Sequence, residues 1–597
     1  MAQFYRKVVT IDWIIVILYL SLTIYIGFRY KSQAGKSLSD FFLGGRNIPW
    51  YIAGISMVAT TFAADTPLWV TERVAMFGVS GNWIWWNMLI GGMLTTFFFA
   101  QYWRRAEVLT ELEFIELRYS GKAAELLRGF KSVYMGLVLN AIIIGWVNAA
   151  MIMILGVFFG LQGFEALVAV SALMFLVALY STLSGLKGVV ITDTVQFLIA
   201  MASCIILAWI ALSTDKVGGI ARTETFGGQW RFDFFPVISS ENPIASAGEV
   251  FSVTIGSFLT YGLIQWWASW YPGAEPGGGG YVAQRIMGTK NEKHAIYATL
   301  FFQIAHYCLR PWPWIIVGLC SLVLYPDLPI DQAGQGFVMT MRDYLPVGLK
   351  GLLFVAFLAA YMSTISTQLN WGASYLTNDL YKRFIKKEDQ FSDTEKADRH
   401  YVAAGRVLTV VIMLVAVIST SLIETIDQAA RFLIECGAGL GLVLILRWYW
   451  WRINAWSEIA AVIAPFAGYI FSNYVLHLEF PSSFLLTTGI TTVTWLLVTF
   501  LSPAEPIVVL EKFYFKIKPS GNWKIIDSTD KDPGDLKFRF VCWFAAMVMT
   551  YSSLFLIGYT IFQNWSLAIL NFCISLSALF LLKWGLSKLH FFNSKPL

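Results

Sequence analysis

Charge is scarce in this sequence. Acidic and basic residues together occupy 14% of 597 positions against 57% hydrophobic, and the mean hydropathy is +0.61, which excludes an ordinary soluble globular protein. Cysteine is scarce as well: Cys204, Cys308, Cys320, Cys436, Cys542 and Cys573 all lie in or beside apolar runs with no CxxC pair, so neither a disulfide framework nor a metal site is indicated. The five histidines (His294, His306, His400, His477, His590) are scattered, without the spacing that zinc or haem requires. No polar stretch is long enough for a soluble domain between apolar runs. Nor is there a Ser/His/Asp, paired-His or metal-like constellation at one membrane depth, which argues against an enzyme. A cleaved leader is not expected, because Arg6 and Lys7 are followed by Asp12 and a run too long for a signal peptide.

What the sequence has instead is a series of apolar runs able to cross about 30 Å of hydrocarbon. They fall near 11–29, 50–77, 82–102, 132–160, 164–183, 188–213, 247–271, 295–325, 346–381, 404–423, 427–448, 456–475, 483–501, 541–562 and 566–583, about fifteen spans of an all-α polytopic membrane protein. With the N-terminus outside, the loops after odd-numbered spans hold most of the 43 basic residues. Clusters at Arg29/Lys31/Lys36/Arg46, Arg104/Arg105/Arg118/Lys122/Arg128, Lys382/Arg383/Lys386/Lys387 and Lys512 through Arg539 therefore read as cytoplasmic. The net charge of +5 reflects this bias and implies no nucleic-acid partner. The stretch 503–540, with Pro503, Pro506, Pro519 and Pro533-Gly534, reads as a cytoplasmic linker to two extra C-terminal helices, and the loop 214–246 as an external segment over the entrance.

Polar residues inside apolar runs are the candidates for function. In AAYMSTISTQLN (Ala359–Asn370), Ala360, Ser363, Thr364 and Thr367 share one helical stripe, with Ser363, Ser366 and Asn370 on the overlapping one. A single membrane-helix hydroxyl usually bonds its own i−4 carbonyl. A converging set suits a hard monovalent cation exchanging water for neutral oxygens, which points to a sodium-coupled transporter. The second span carries Thr60, Thr61, Asp65, Thr66 and Pro67 at its centre, where Pro67 predicts a break at or before Asp65 and freed backbone carbonyls lining a cavity. Asp193 is either a helix-end carboxylate at the cytoplasmic interface or an anionic group behind the hydroxyl helix. The run Gly277–Gly280 lacks the Lys-Ser/Thr of a phosphate loop and reads as a mobile loop. Trp266, Trp267, Trp270 and Tyr271 form either an interface belt or a stacking wall for a solute. Arg310 and Glu435, both within spans, must be paired or face water. An Arg310 paired with Asp65 or Glu435 implies a neutral solute, the reading preferred from sequence, and an unpaired one implies a carboxylate.

LGGRNIPWY (Leu43–Tyr51), YSTLSGLKGVVITDTVQ (Tyr180–Gln196), YVAQRIMGTK (Tyr281–Lys290) and AAYMSTISTQLNWGASYLTNDLYK (Ala359–Lys382), taken in order, resemble the sodium:solute symporter family over roughly residues 10–500. The resemblance implies a leucine-transporter-like 5+5 inverted repeat: residues 1–49 as N-terminal helix and loop, 50–213 as repeat one, 247–448 as repeat two and 456–501 as two further helices. Residues 502–540 would then be the linker and 541–597 the extra C-terminal helices. It further implies sodium held by the carbonyls of Ala59, Phe62 and Ala360 and the hydroxyls of Ser363 and Thr364, with Asp193 close by and Ser366 and Thr367 available to a second ion. Candidate solute contacts are Thr61, Asp65, Thr66, Trp85, Asn87, Gln265, Trp266, Trp267 and Glu435. Thr61, Asp65 and Thr66 stand where the family's sugar transporters have Asn, Glu and Gln, so the solute is left unnamed. The expected activity is sodium-coupled symport of a small organic solute across the plasma (inner) membrane, with the C-terminus cytoplasmic, no cofactor beyond the coupling ion, and sodium, solute and lipid bilayer as partners. Alternatives are uptake of a small anion or a transporter-like sensor.

Overall fold

In the computed structural model, residues 10–220, 226–235, 255–422, 433–526 and 535–589 are described. The described part of the chain is built from helices, as a bilayer demands: with no water to satisfy backbone groups, each segment must close its own hydrogen bonds. Eleven stretches among the described residues are helical, long and apolar enough to cross a membrane. Centrality separates them. In Leu349–Ile385, 94% of the most apolar window is buried, against 17% in the C-terminal Trp565–Lys588, whose outward Ile569, Phe572 and Phe580 present a lipid-like face. The helix Leu349–Ser374, which carries the hydroxyl stripe, is thus the axis of the molecule. Its first turn is capped by Asp12 of the N-terminal helix Thr10–Ala34, whose Oδ1 accepts the amides of Gly348 and Gly351 at 2.8 Å each.

Two interruptions shape the packing around this axis. The second apolar run divides into Trp50–Thr60 and Asp65–Phe77, with Pro67 in the first turn of the second half, where an absent N–H leaves no intrahelical acceptor unpaired. The expected spans 164–183 and 188–213 are the two halves of the stretch Gly163–Leu212, separated by a non-helical kink at Gly185. There φ +56° and ψ −165° admit only glycine comfortably, and an added Cβ would meet the Phe41 carbonyl oxygen at 2.6 Å.

Gly277–Gly280 does not form a mobile loop. All four residues are buried; Gly277, Gly278 and Gly280 have positive φ, Trp103 Nε1 donates to the Gly277 carbonyl at 3.0 Å, and the Gly280 amide donates to Glu111 at 2.7 Å. Glycine here permits close backbone approach rather than motion. The stretch 503–540 likewise carries a helix, Ile507–Ile517, whose Phe513 packs with Phe114 and Trp523. Beyond it, Asp535–Ile561 and Trp565–Lys588 pair with each other. The first of them is tied to the core by Trp543 Nε1 to the Ile90 carbonyl (3.0 Å) and Tyr551 OH to the Trp86 carbonyl (2.8 Å), and receives the Cys308 thiol on the Thr550 carbonyl (3.2 Å). Of the loop 214–246, the described part 226–235 packs over Trp83 and Ala75 through the Phe234 carbonyl and Arg231, and the rest lies partly outside the described residues.

Replacing Gly185 with alanine is expected to destabilise the protein by about 1–3 kcal/mol, from positive φ and the Phe41 clash together. Thermal unfolding of the purified G185A variant in detergent checks this; an unchanged Tm would show that the kink relaxes freely.

Candidate functional site

The break in the second run ends one helix beside the hydroxyl helix. The Phe62 amide turns back to the Ala59 carbonyl at 3.0 Å, and the Thr60 carbonyl accepts from Thr364 Oγ1 at 3.0 Å. The same Thr364 hydroxyl lies 3.2 Å from the Ala360 carbonyl, so oxygens of both elements converge on it. One turn away, Thr60 and Thr367 share a hydroxyl–hydroxyl hydrogen bond of 3.0 Å, and Ser366 bonds the Ser363 carbonyl of its own helix at 3.0 Å.

Asp193 is not an interface carboxylate. It is fully buried in the second half of the kinked helix, and its two oxygens accept from Ser363 (2.6 Å) and Ser56 (2.5 Å), joining three elements. A buried carboxylate is tolerated when charge and lone pairs are met together. Arg285, also fully buried, stands 3.6 Å from Asp193 and donates to Ser56 (2.9 Å), Thr60 (3.3 Å) and Thr367 (2.6 Å). It reaches these groups because the buried glycine run delivers the helix Gly280–Met287 against the break.

Thr60 and Thr364 also border a cavity of about 130 Å³. Its polar lining includes Thr61, Asp65, Thr66, His306, Arg310 and Gln368, and its aromatic wall Trp69, Trp85, Trp146, Tyr271, Tyr281 and Tyr307. Arg310 does not pair with Asp65 or Glu435, since neither carboxylate lies within 4 Å of it. Its Nη1 donates to Thr61 (2.8 Å) and the Val58 carbonyl (3.4 Å), its Nη2 to His306 Nε2 (3.2 Å), and it lies over Trp314 at 5.1 Å. This pattern assigns the imidazole proton to His306 Nδ1, which faces Thr61 Oγ1 at 3.0 Å. Uncharged neighbours therefore hold a charged side chain at the wall of the cavity.

Of the residues expected to meet a solute, Thr61, Asp65, Thr66 and Trp85 line this cavity, whereas Asn87, Gln265, Trp266, Trp267 and Glu435 do not. Asn87 bonds the carbonyls of Trp83 and Ile84 at 2.8 Å, Gln265 reaches the Ile84 carbonyl at 3.3 Å, Trp267 bonds Leu263 at 2.7 Å, and Glu435 accepts from Asn473 at 2.9 Å. Trp266 packs toward Trp543 of the C-terminal pair. The Trp/Tyr cluster is thereby divided: Tyr271 belongs to the wall, and Trp266 and Trp267 face away from it. Sequence reasoning missed Ser56, Arg285 and His306. His306 stands one helical turn before Arg310, and Arg285 is a charge beside an apolar segment, signals that were there to use.

A helix broken at the level of a buried polar cluster, packed on a hydroxyl-bearing helix and opening on a cavity, is the arrangement in which secondary transporters hold solute and ion. The profile of the sodium:solute symporter family matches residues 41–464, and the chain belongs to that family: it is a membrane transporter coupling a solute to sodium, not an enzyme. Relatives include the sodium/glucose cotransporter of Vibrio parahaemolyticus, 23% identical over 77% of this chain and 85% of the relative. The sodium/sialic acid symporter of Proteus mirabilis is 22% identical over 79% and 91%, and sodium/proline symporter 2 of Staphylococcus saprophyticus 25% over 76% and 84%. A substrate-bound, outward-open structure of a Na⁺-coupled sialic acid symporter shares the fold, with a TM-score of 0.64 at 19% identity, covering 83% of this chain and 99% of its own.

Removing Arg285 alone strands the buried Asp193 charge, so Arg285→Met should cost about 3–5 kcal/mol of stability. Adding Asp193→Asn should return part of that loss. Thermal unfolding of both single variants and the double variant checks the coupling, and strictly additive losses would show that the two groups do not compensate each other.

Proposed function

We propose that this chain performs sodium-coupled symport of a small organic solute by alternating access, with sodium held at the junction of the broken helix and the hydroxyl helix. The ligands are the carbonyls of Ala59, Phe62 and Ala360 and the hydroxyls of Ser363 and Thr364, with Asp193 supplying negative charge through Ser363. The observation that carries this reading is Thr364: its hydroxyl spans the two helices and borders the cavity, so an ion bound there senses both the break and the solute. The cavity is the solute site. A second ion on Ser366 and Thr367 requires Arg285 to release Thr367.

The architecture that goes with this mechanism is a leucine-transporter-like pair of inverted five-helix repeats, 50–213 and 247–448, with an N-terminal helix and four further C-terminal ones. Counting the kinked helix as two spans and the broken run as one, and adding the short helices within 255–268 and Leu440–Tyr449, takes the eleven long stretches to fifteen. Basic residues on one set of loops support an N-terminus outside and a C-terminus in the cytoplasm of a cell bounded by this plasma membrane. Energetically, one ion supplies roughly 3.7 kcal/mol, just short of a thousandfold solute gradient, and two exceed it. A thousandfold solute gradient needs about 4.1 kcal/mol. One sodium moving down a tenfold gradient releases about 1.4 kcal/mol, and a potential of about 100 mV adds about 2.3.

Thr364→Val keeps nearly the same volume and removes one oxygen. Losing such a ligand should cost about 1–3 kcal/mol, or roughly five- to 150-fold in sodium affinity, with a smaller effect on solute affinity at saturating sodium. Sodium titration of uptake into proteoliposomes reads this directly, and wild-type sodium dependence in T364V would reduce the hydroxyl to a packing role.

A further inference from the structure

The cavity contains two charges of opposite sign that do not neutralise each other. Arg310 is 1% exposed, and among the described residues its Nε has no hydrogen-bond partner and no carboxylate lies within 4 Å of it. Asp65 borders the same cavity with Oδ1 buried and likewise without a partner. Long flexible side chains of opposite charge in one small cavity ordinarily close on each other. Here each is fixed by its backbone setting. Arg310 is held by Thr61, the Val58 carbonyl and His306, and Asp65 sits in the first turn of the helix Asp65–Phe77.

We propose that the solute is a small zwitterion, its anionic group received by Arg310 and its cationic group by Asp65. The inference rests on reading this cavity as the solute site. A neutral solute offers hydroxyls or amides to both residues but leaves each charge only the other at more than 4 Å, and a singly charged solute leaves one of them so. A zwitterion compensates both. A fixed guanidinium is also suited to a carboxylate by its planar donor geometry. Trp69, Trp85 and Tyr271 line the same cavity as Asp65, and aromatic rings attract an ammonium group. Size agrees: about 130 Å³ is close to the roughly 150 Å³ engineered cavity that accepts benzene, which sets a solute of about that size. Because Asp65 and Arg310 sit on different elements, such a solute ties the second half of the broken helix to the segment before Pro311 through two charge-assisted contacts.

The test uses the full-length protein in saturating sodium. Thermal-shift titration is run with the proteinogenic amino acids, β-alanine and glycine betaine, then with the amide, the N-acetyl derivative and the N-acetyl amide of the best binder, each followed by uptake into proteoliposomes. The zwitterion is expected to bind roughly tenfold or more tightly than either singly charged analogue, and the uncharged one to bind weakest. Arg310→Gln should abolish the preference for the acid over its amide, and Asp65→Asn the preference for the amine over its N-acetyl form, while sodium-induced stabilisation without solute persists in both. An uncharged or singly charged solute that binds as tightly as any zwitterion overturns the proposal, as does the absence of stabilisation by every zwitterion tested. Asp65→Asn that weakens sodium and leaves the zwitterion preference intact overturns it too, by moving Asp65 to the ion. Uptake of a zwitterion that ignores sodium would instead overturn the symport reading while supporting the assignment of solute class.

Discussion

Asp193 is the constraint on which the centre of this molecule depends. A carboxylate with no access to water must find its charge compensation and its hydrogen bonds among fixed neighbours, and here those neighbours come from separate elements: Ser56 before the break, Ser363 on the hydroxyl helix and Arg285 on the short helix after the glycine run. None of these elements can shift alone without leaving a buried polar group unsatisfied. The clamp therefore sets the register of the broken helix against the hydroxyl helix, and the freed carbonyls and the Thr364 hydroxyl meet as a result.

The same logic recurs toward the basic end of the bundle with a denser set of charges. Glu458 is fully buried and engaged by Lys131, by Arg447 at 3.2 Å and by the Tyr119 hydroxyl at 3.1 Å, while Glu111 stands 3.6 Å from Arg447 and accepts from Tyr375 at 3.0 Å and from the Gly280 amide. Glu111 thus connects this cluster to the short helix that carries Arg285. Two buried ionic centres are linked through the helix Gly280–Met287, so the position of Gly280 at its start bears on the guanidinium of Arg285 near its end.

Much of the fold was legible because a membrane chain advertises its exceptions. Against apolar runs, Asp65, Asp193, Arg310 and the hydroxyls of 363–367 stand out without any knowledge of contacts, and Pro67 announces the interruption before Asp65. Long-range partnership was not legible. Nothing local joins Arg285 to Thr367, 82 residues away in the chain, or to Asp193, and Glu435 was read toward the cavity when Asn473 holds it elsewhere. Arg310 was expected to be paired because a charge in a span ordinarily is; three uncharged groups hold it instead. The glycine run failed for a different reason. Composition reports what a backbone is free to do, and at Gly277, Gly278 and Gly280 that freedom is used to pass under Trp103 and Glu111 in one fixed shape. Gly185 has a local reason of the same kind, yet its partner, the Phe41 carbonyl, is visible only in three dimensions.

The C-terminal hairpin has a mechanical consequence. Its first helix is bonded to carbonyls of the Val79–Ala106 span at Trp86 and Ile90 and is gripped by Cys308 in the segment just before Arg310. It therefore spans the joint between those two elements on the lipid side, as a splint spans a fracture. Any rocking of one against the other either carries the hairpin along as a rigid body or tears these hydrogen bonds where no water can replace them. Although it touches neither ion nor solute, this peripheral pair selects which helices travel together when the cavity changes the side to which it opens.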